Sequence, residues 1–271
     1  MKPFLKWAGS KYKIIDKITE FLPSGDRLIE PFVGSGAVFL NTNYPDYLLA
    51  DSNADLIHLY KCIQIQGIDF IDYAKHLFTP DNNTEESFYK LRMEFNSTQD
   101  IRRKSAIFIY LNRHCFNGLC RYNGKGKFNV PFGRYTKPSF PELEITNFFH
   151  KSQDVKFKIS DFVETINMAK IGDVIYCDPP YVPLSKTSNF TNYTKSEFTL
   201  KHQAQLSDMA SSLMEKGISV TISNHDTEFT RTLYDAAKIE YFDVQRFISS
   251  NAGNRIKAPE LLATFSKDIK V

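Results

Sequence analysis

Apolar positions recur along the chain with two different periods. At Ile14, Ile15, Ile18, Phe21 and Leu22 the spacing is helical, and Pro23 and Gly25 predict where that helix stops. Arg27-Leu28-Ile29-Glu30 reads as a short strand, followed by Pro31-Phe32-Val33-Gly34-Ser35-Gly36 and an apolar helix start at Ala37-Val38-Phe39-Leu40. Tyr47-Leu48-Leu49-Ala50-Asp51 predicts a second strand ending in a carboxylate, and Leu56, Ile57, Tyr60 and Ile63 predict the next helix. The pattern then changes. One helix should start after Thr84 as N-cap, with Glu85 and Glu86 in its first turn and Phe88, Leu91 and Phe95 on one face. Another should cover 101–111, and Asn123-Gly124 between residues of strand type predicts a β-hairpin. From about 155 onward the alternation returns: a strand over 173–178, a helix carrying Leu206, Met209, Ala210 and Leu213, a strand over 218–223, and edge strands over 239–247 and 261–265. The expected fold class is α/β, with residues 1–57 and 146–271 forming one sheet-containing domain and 58–145 an insertion, mainly helical and carrying the hairpin.

Composition agrees with a packed protein. The 271 residues are 42% hydrophobic and include 23 Phe and 14 Tyr, which excludes a disordered chain. Nothing approaches the run of about 20 apolar residues that a membrane span requires. The first residues hold no apolar stretch of signal-peptide length, so a cytoplasmic protein is expected. Four cysteines, Cys62, Cys115, Cys120 and Cys177, form no C-x-x-C pair, so neither a disulfide framework nor a zinc knuckle is expected.

Charge changes the picture more than composition does. The net charge is only +3, yet residues 90–141 contain eleven basic side chains against Glu94 and Asp100. That segment carries +9 and the remainder of the chain −6. A basic segment in an otherwise acidic protein is the footprint of a polyanion-binding module, and equally that of a solvated helical face.

Two motifs carry candidate chemistry. Phe32-Val33-Gly34-Ser35-Gly36 stands between a strand and a helix, where glycines let the backbone turn tightly and approach a ligand. Alone it also fits a plain turn. Asp51 strengthens the ligand reading, because an acidic residue ending the next strand can accept hydrogen bonds from both ribose hydroxyls. Phe39 occupies the third-glycine place of the dinucleotide fingerprint, which argues against NAD and FAD. The second motif, Asp178-Pro179-Pro180-Tyr181, follows an apolar strand. Its prolines stiffen the turn and fix the Asp178 carboxylate and the Pro179 carbonyl beside an aromatic ring. Two such acceptors suit the N–H groups of an exocyclic amine, with Tyr181 stacked on the attached ring. His225-Asp226 has no nucleophile elbow beside it and reads as a loop histidine capping local structure. His114, Cys115 and Cys120 fit no zinc spacing and read as packing residues.

These residues resemble the Dam family of DNA adenine-N6 methyltransferases. The likeness is carried by Phe4-Leu5-Lys6-Trp7-Ala8-Gly9, Glu30 to Gly36, Asn117-Gly118-Leu119-Cys120-Arg121-Tyr122-Asn123, Phe128-Asn129-Val130-Pro131-Phe132-Gly133-Arg134-Tyr135, Asp178 to Tyr181, Ser223-Asn224-His225-Asp226-Thr227 and Ser249-Ser250-Asn251. The motif order is similar to the α arrangement of amino-methyltransferases. The resemblance implies a Rossmann-like methyltransferase sheet and S-adenosyl-L-methionine as methyl donor, held by Trp7, Lys11, Phe32, Gly34, Gly36, Asp51 and Asp178. It implies Asp178, Pro179 and Tyr181 as the catalytic group, with no metal. It also implies double-stranded DNA as substrate, with a flipped adenine in GATC as the target. Lys6, Leu119, Arg121, Pro131 and Tyr135 would read the bases, Phe116 would wedge into the duplex, Asn117 would be a further DNA contact, and Arg92, Arg113, Asn123, Asn129 and Arg134 would contact phosphates. Phe116 stands where close relatives carry Tyr, and Thr136 where a basic residue is expected. The polar stretch with Ser185, Lys186, Thr187 and Ser188 before Phe190 and Tyr193 would be a lid. A monomer in a bacterial cytoplasm, nucleoid-associated or phage-encoded, is expected. The alternatives are a methyltransferase for cytosine N4 or RNA adenine, and a catalytically silent DNA-binding protein.

Overall fold

The computed structural model describes residues 1–183, 198–245 and 257–267. The expected lid and the Ser249-Ser250-Asn251 motif lie outside them. Seven strands, β1 (Arg27–Glu30), β2 (Asp46–Asp51), β3 (Lys156–Ile159), β4 (Asp173–Cys177), β5 (Ser219–His225), β6 (Lys238–Gln245) and β7 (Lys257–Phe265), form one sheet in the order β3-β2-β1-β4-β5-β7-β6. β1 runs parallel to β2 and β4, and β4 parallel to β5, whereas β7 is antiparallel to β5 and β6. All five residues of β4 are buried, as expected for an inner strand of a sheet covered on both faces. From β1 the chain builds outward to β2 on one side, and from β4 outward to β5 on the other. The order therefore reverses between β1 and β4, the position at which open α/β sheets bind ligands beyond the strands' carboxyl ends. The glycine motif follows β1 and the Asp178 motif follows β4.

The chain divides into two compact units. One comprises Met1–Ile15, Val33–Asn43 and Asp51–Ile159. Its helices are α2 (Ala37–Asn41), α3 (Ala54–Lys75), α4 (Glu85–Phe95), α5 (Ile101–His114) and α6 (Glu142–Lys151). Thr84 caps α4 by accepting from the Ser87 N–H, as its position predicts. The rings of Phe95 and Phe108 stack inside this unit while Phe128 meets Phe95 edge-on. The other unit comprises Asp16–Phe32, Tyr44–Ala50 and the described part of Ser160–Val271. It includes most of α1 (Ile15–Phe21) and all of α7 (Phe162–Ile166), α8 (Leu200–Glu215) and α9 (Glu228–Leu233). Its core joins Ile29, Ile175, Ile222, Leu261 and Phe265 to Leu206 and Leu213 of α8.

Two sequence expectations are revised and one strand is added. The segment over 261–265 is no sheet edge: β7 lies between β5 and β6, and Leu261 to Phe265 are all buried because both neighbours and a helix cover them. β3 escapes detection because Lys156-Phe157-Lys158-Ile159 is short and half charged. The Asn123-Gly124 turn is wider than a two-residue hairpin. The Asn123 N–H donates to the Lys127 carbonyl and the Asn129 N–H to the Arg121 carbonyl, so the arms pair as an isolated bridge between Tyr122 and Phe128. Asn123 Oδ1 accepts from the N–H groups of Lys125 and Lys127, so the side chain organises the loop in place of a strand ladder.

Candidate active site

The glycine turn is built for close approach. Gly34 has φ of 47°, and a Cβ there would lie 2.8 Å from Trp7 Nε1, so the bare backbone is what lets the indole rest against the turn. The Gly34 N–H donates to Asp51 Oδ2 at 3.1 Å and the Asn53 N–H to Asp51 Oδ1 at 2.9 Å. These bonds fix the plane of the carboxylate while leaving each oxygen a further lone pair. Burial pushes the Asp51 carboxyl above the usual range, and the two N–H donors oppose that rise. Tyr60 donates from below to the Gly34 carbonyl. Lys11 is buried, with Nζ donating to the Gly9 carbonyl at 2.8 Å. Gly36 takes the left-handed conformation directly before α2. Phe32 turns the other way, stacking on Phe162 and meeting Phe198 edge-on against the core of the second unit. Gly34→Ala is expected to lower stability by about 1–2 kcal/mol, from left-handed strain and the clash with Trp7, read out in urea unfolding.

After β4, the Asp178 motif is clamped by β5, α8 and β7. Ser223 Oγ donates to Asp178 Oδ1 at 3.0 Å and itself accepts from the Tyr176 hydroxyl at 3.1 Å. Gln203 Nε2 donates to the Pro180 carbonyl at 2.7 Å, and its Oε1 accepts from Asn224 Nδ2 at 3.0 Å. Asn224 Oδ1 in turn accepts the Val182 N–H. His225 Nδ1 faces the Val182 carbonyl, which can only accept, so this nitrogen carries the proton. The role is structural, but His225 is no loop residue: it ends β5 and is buried. The Tyr181 hydroxyl donates to Glu260 Oε2 at 3.2 Å, and its ring packs edge-on against His225. Burial and the carboxylates of Asp178 and Glu260 push the Tyr181 phenol well above its usual pKa, so it stays protonated. The Pro179 carbonyl accepts no hydrogen bond from the described residues. The motif thus offers an oriented carboxylate, an available carbonyl and a fixed ring.

The basic segment displays the other expected residues. Phe116 is 50% exposed, and Asn117, held at φ of 53°, donates its N–H to the Tyr135 hydroxyl at 3.0 Å. Lys6 Nζ lies over the Tyr135 ring at 4.5 Å. Gly118 has φ of 62°, and a Cβ there would collide with the Lys6 stem, so the glycine lets the two segments touch. Burial and the nearby Arg113 push the Lys6 ammonium below its usual pKa. Arg121 is exposed, with Nε donating to Asn129 Oδ1 at 2.8 Å and Nη2 to the Asn129 carbonyl at 3.4 Å. Pro131 is exposed and Leu119 half-buried. Arg134 is 77% exposed and meets Glu85 at 3.4 Å. Arg92 and Arg113 are more engaged: Arg92 donates to the Val130 carbonyl at 2.9 Å, and Arg113 to the carbonyls of Ser139 and Phe4. His114 donates to the Tyr110 carbonyl, and burial lowers its pKa to about 4. Burial raises the thiols of Cys115 and Cys120 to about 12, as for packing residues.

Ser223, Gln203, Asn224 and Glu260 were not singled out as site residues from the sequence. The available clue was Ser223-Asn224-His225 ending a strand, but only the sheet order puts that strand beside β4.

The family described as D12 class N6 adenine-specific DNA methyltransferase matches residues 7–248. The chain is 49% identical over 268 residues to the DNA adenine methylase of Escherichia coli strain K12, covering 99% of this chain and 96% of that one. It is 49% identical over 265 residues to the DNA adenine methylase of Serratia marcescens, covering 97% and 98%. The corresponding protein of Vibrio cholerae El Tor is 49% identical over 266 residues, covering 98% and 96%.

Proposed function

Since the chain belongs to the D12 class of N6 adenine-specific DNA methyltransferases and is a DNA adenine-N6 methyltransferase, we propose that it methylates adenine within GATC in double-stranded DNA. The base is flipped from the helix against the Asp178 motif. The observation that carries this reading is the turn after β4, where the Asp178 carboxylate is held by Ser223 and the Pro179 carbonyl accepts nothing from the described residues.

The adenine N6 lone pair is delocalised into the ring, so the amine is a poor nucleophile. With Asp178 and the Pro179 carbonyl each accepting one N–H, the nitrogen moves toward tetrahedral geometry and regains a directed lone pair. Tyr181 fixes the plane of the base by stacking, its own hydroxyl tethered to Glu260. Positioning and stabilisation of the charge that develops on nitrogen supply most of the acceleration. Asp178 acts as acceptor and need not be a strong base.

S-adenosyl-L-methionine supplies a methyl group activated by a sulfonium when bound. The residues present fit such a donor. The turn at 34–36 admits close approach, Trp7 offers an apolar wall, and each Asp51 oxygen keeps a lone pair for a ribose hydroxyl. Trp7, Lys11, Phe32, Gly34, Gly36, Asp51 and Asp178 are assigned to hold it, with Phe32 acting through the packing around it. No metal has a part.

The segment 58–145 is assigned to the target and 1–57 with 146–271 to catalysis. Lys6, Leu119, Arg121, Pro131 and Tyr135 read bases, Phe116 wedges into the stack, Asn117 is a further DNA contact, and Arg92, Arg113, Asn123, Asn129 and Arg134 face phosphates. The enzyme acts as a monomer on bacterial or phage DNA in a bacterial cytoplasm. Incubation with a GATC-containing plasmid and S-adenosylmethionine should protect the plasmid from a nuclease blocked by adenine methylation at GATC. Unprotected plasmid with methyl groups incorporated elsewhere would overturn the sequence assignment. N4-methylcytosine on nucleoside analysis would overturn the target assignment.

A further inference from the structure

Asp178 sits at the end of a strand, where a carboxylate on two free torsions would otherwise sample several orientations. One restraint on it comes from the neighbouring strand. Ser223 is fully buried on β5, and its one proton has two acceptors in range, Asp178 Oδ1 at 3.0 Å and the Cys177 carbonyl at 3.3 Å. The Tyr176 hydroxyl, itself buried on β4, donates to Ser223 Oγ at 3.1 Å. With that lone pair filled, the serine proton is directed away from Tyr176, and the carboxylate is both the nearer and the charged acceptor.

We propose that Ser223 is a positioning residue for methyl transfer, with its hydroxyl, primed by Tyr176, holding the Asp178 carboxylate in the orientation that accepts the N6 hydrogen. This rests on the role assigned above to Asp178. Ser223 touches neither base nor methyl donor and acts through Asp178. A hydrogen bond to a charged group is among the stronger neutral-donor contacts, and its loss removes a directed contact from the carboxylate oxygen that faces β5.

The test compares parent, Ser223→Ala, Ser223→Cys, Tyr176→Phe and Asp178→Ala in steady-state methylation of a GATC duplex, with duplex binding and thermal unfolding measured alongside. Ser223→Ala should lower kcat about ten- to a hundredfold while KM for DNA and the duplex Kd stay within about twofold. Ser223→Cys, a weaker donor but a larger side chain, should fall between parent and alanine. Tyr176→Phe leaves the serine proton present but less directed, and should lose less than Ser223→Ala. A packing role reverses the order of the two serine variants, because the bulkier cysteine crowds a fully buried site. Cysteine at or below alanine therefore overturns the proposal, as does a kcat for Ser223→Ala equal to the parent's. If the alanine variant does not fold, the cysteine variant decides alone: kcat lowered with unchanged KM supports the proposal, and parental kcat overturns it. If Asp178→Ala keeps parental activity, it is the role of Asp178 that fails.

Discussion

Asp178→Ala is expected to reduce methyl transfer by about a thousandfold or more while the protein still binds GATC duplex with near-parental affinity. The size follows from losing the charged member of a pair of acceptors that act together on one nitrogen. Binding survives because the residues assigned to phosphates and bases, Lys6 apart, lie in the basic segment of the chain, among them Arg121, Asn129 and Arg134. The fold should survive as well. Ser223, deprived of Asp178, still has the Cys177 carbonyl within 3.3 Å, so no buried hydroxyl is stranded. Methyl incorporation from labelled S-adenosylmethionine, paired with fluorescence anisotropy on the same duplex, reads both quantities. A variant that methylates at the parental rate would remove Asp178 from the chemistry, and one that loses duplex binding in proportion would make it a DNA contact.

Arg121→Ala is expected to flatten the preference for GATC over duplexes altered at one G·C pair, by about ten- to a hundredfold. One bidentate arginine contact to guanine supplies about 1–3 kcal/mol of discrimination. The side chain is already held in place. Asn129 engages the guanidinium through Nε and Nη2, fixing its plane at an exposed position. Arg134→Ala should behave differently. Among the described residues its guanidinium has only the exposed Glu85 carboxylate at 3.4 Å as a charged partner, and a phosphate can replace that contact. Its loss should weaken binding to every duplex alike and make the slope of log K against log salt shallower by about one. Titrations of both variants against GATC and singly altered duplexes over a range of KCl separate the two effects. The opposite pattern would exchange the two roles.

Elements whose periods reach the surface of the sequence were legible in it. β1 occupies Arg27–Glu30 and α2 begins at Ala37, because a short apolar run, a glycine turn and an apolar helix start follow one another without ambiguity. Thr84 caps α4 as its spacing requires. β3 was hidden since two of its four residues are lysines, and its pairing in the sheet, which local pattern does not encode, is what makes it a strand. The Asn123-Gly124 dipeptide indicated reversal of the chain but not its width, which the Asn123 side chain sets through bonds to Lys125 and Lys127.

The sequence by itself determined which groups this protein brings to its chemistry: an acidic residue and a proline carbonyl at a stiffened strand end, a glycine turn after another strand, and a basic segment of +9 inside a chain of +3. Each is a matter of neighbours along the chain. Tertiary structure alone decided what holds those groups still. Ser223 lies 45 positions from Asp178 and Glu260 lies 79 from Tyr181, and each pair meets because the order β4-β5-β7 places three strands side by side. Hydrogen bonds of that kind depend on strand order and register, which are set by the burial of the whole sheet and leave no local trace in the chain.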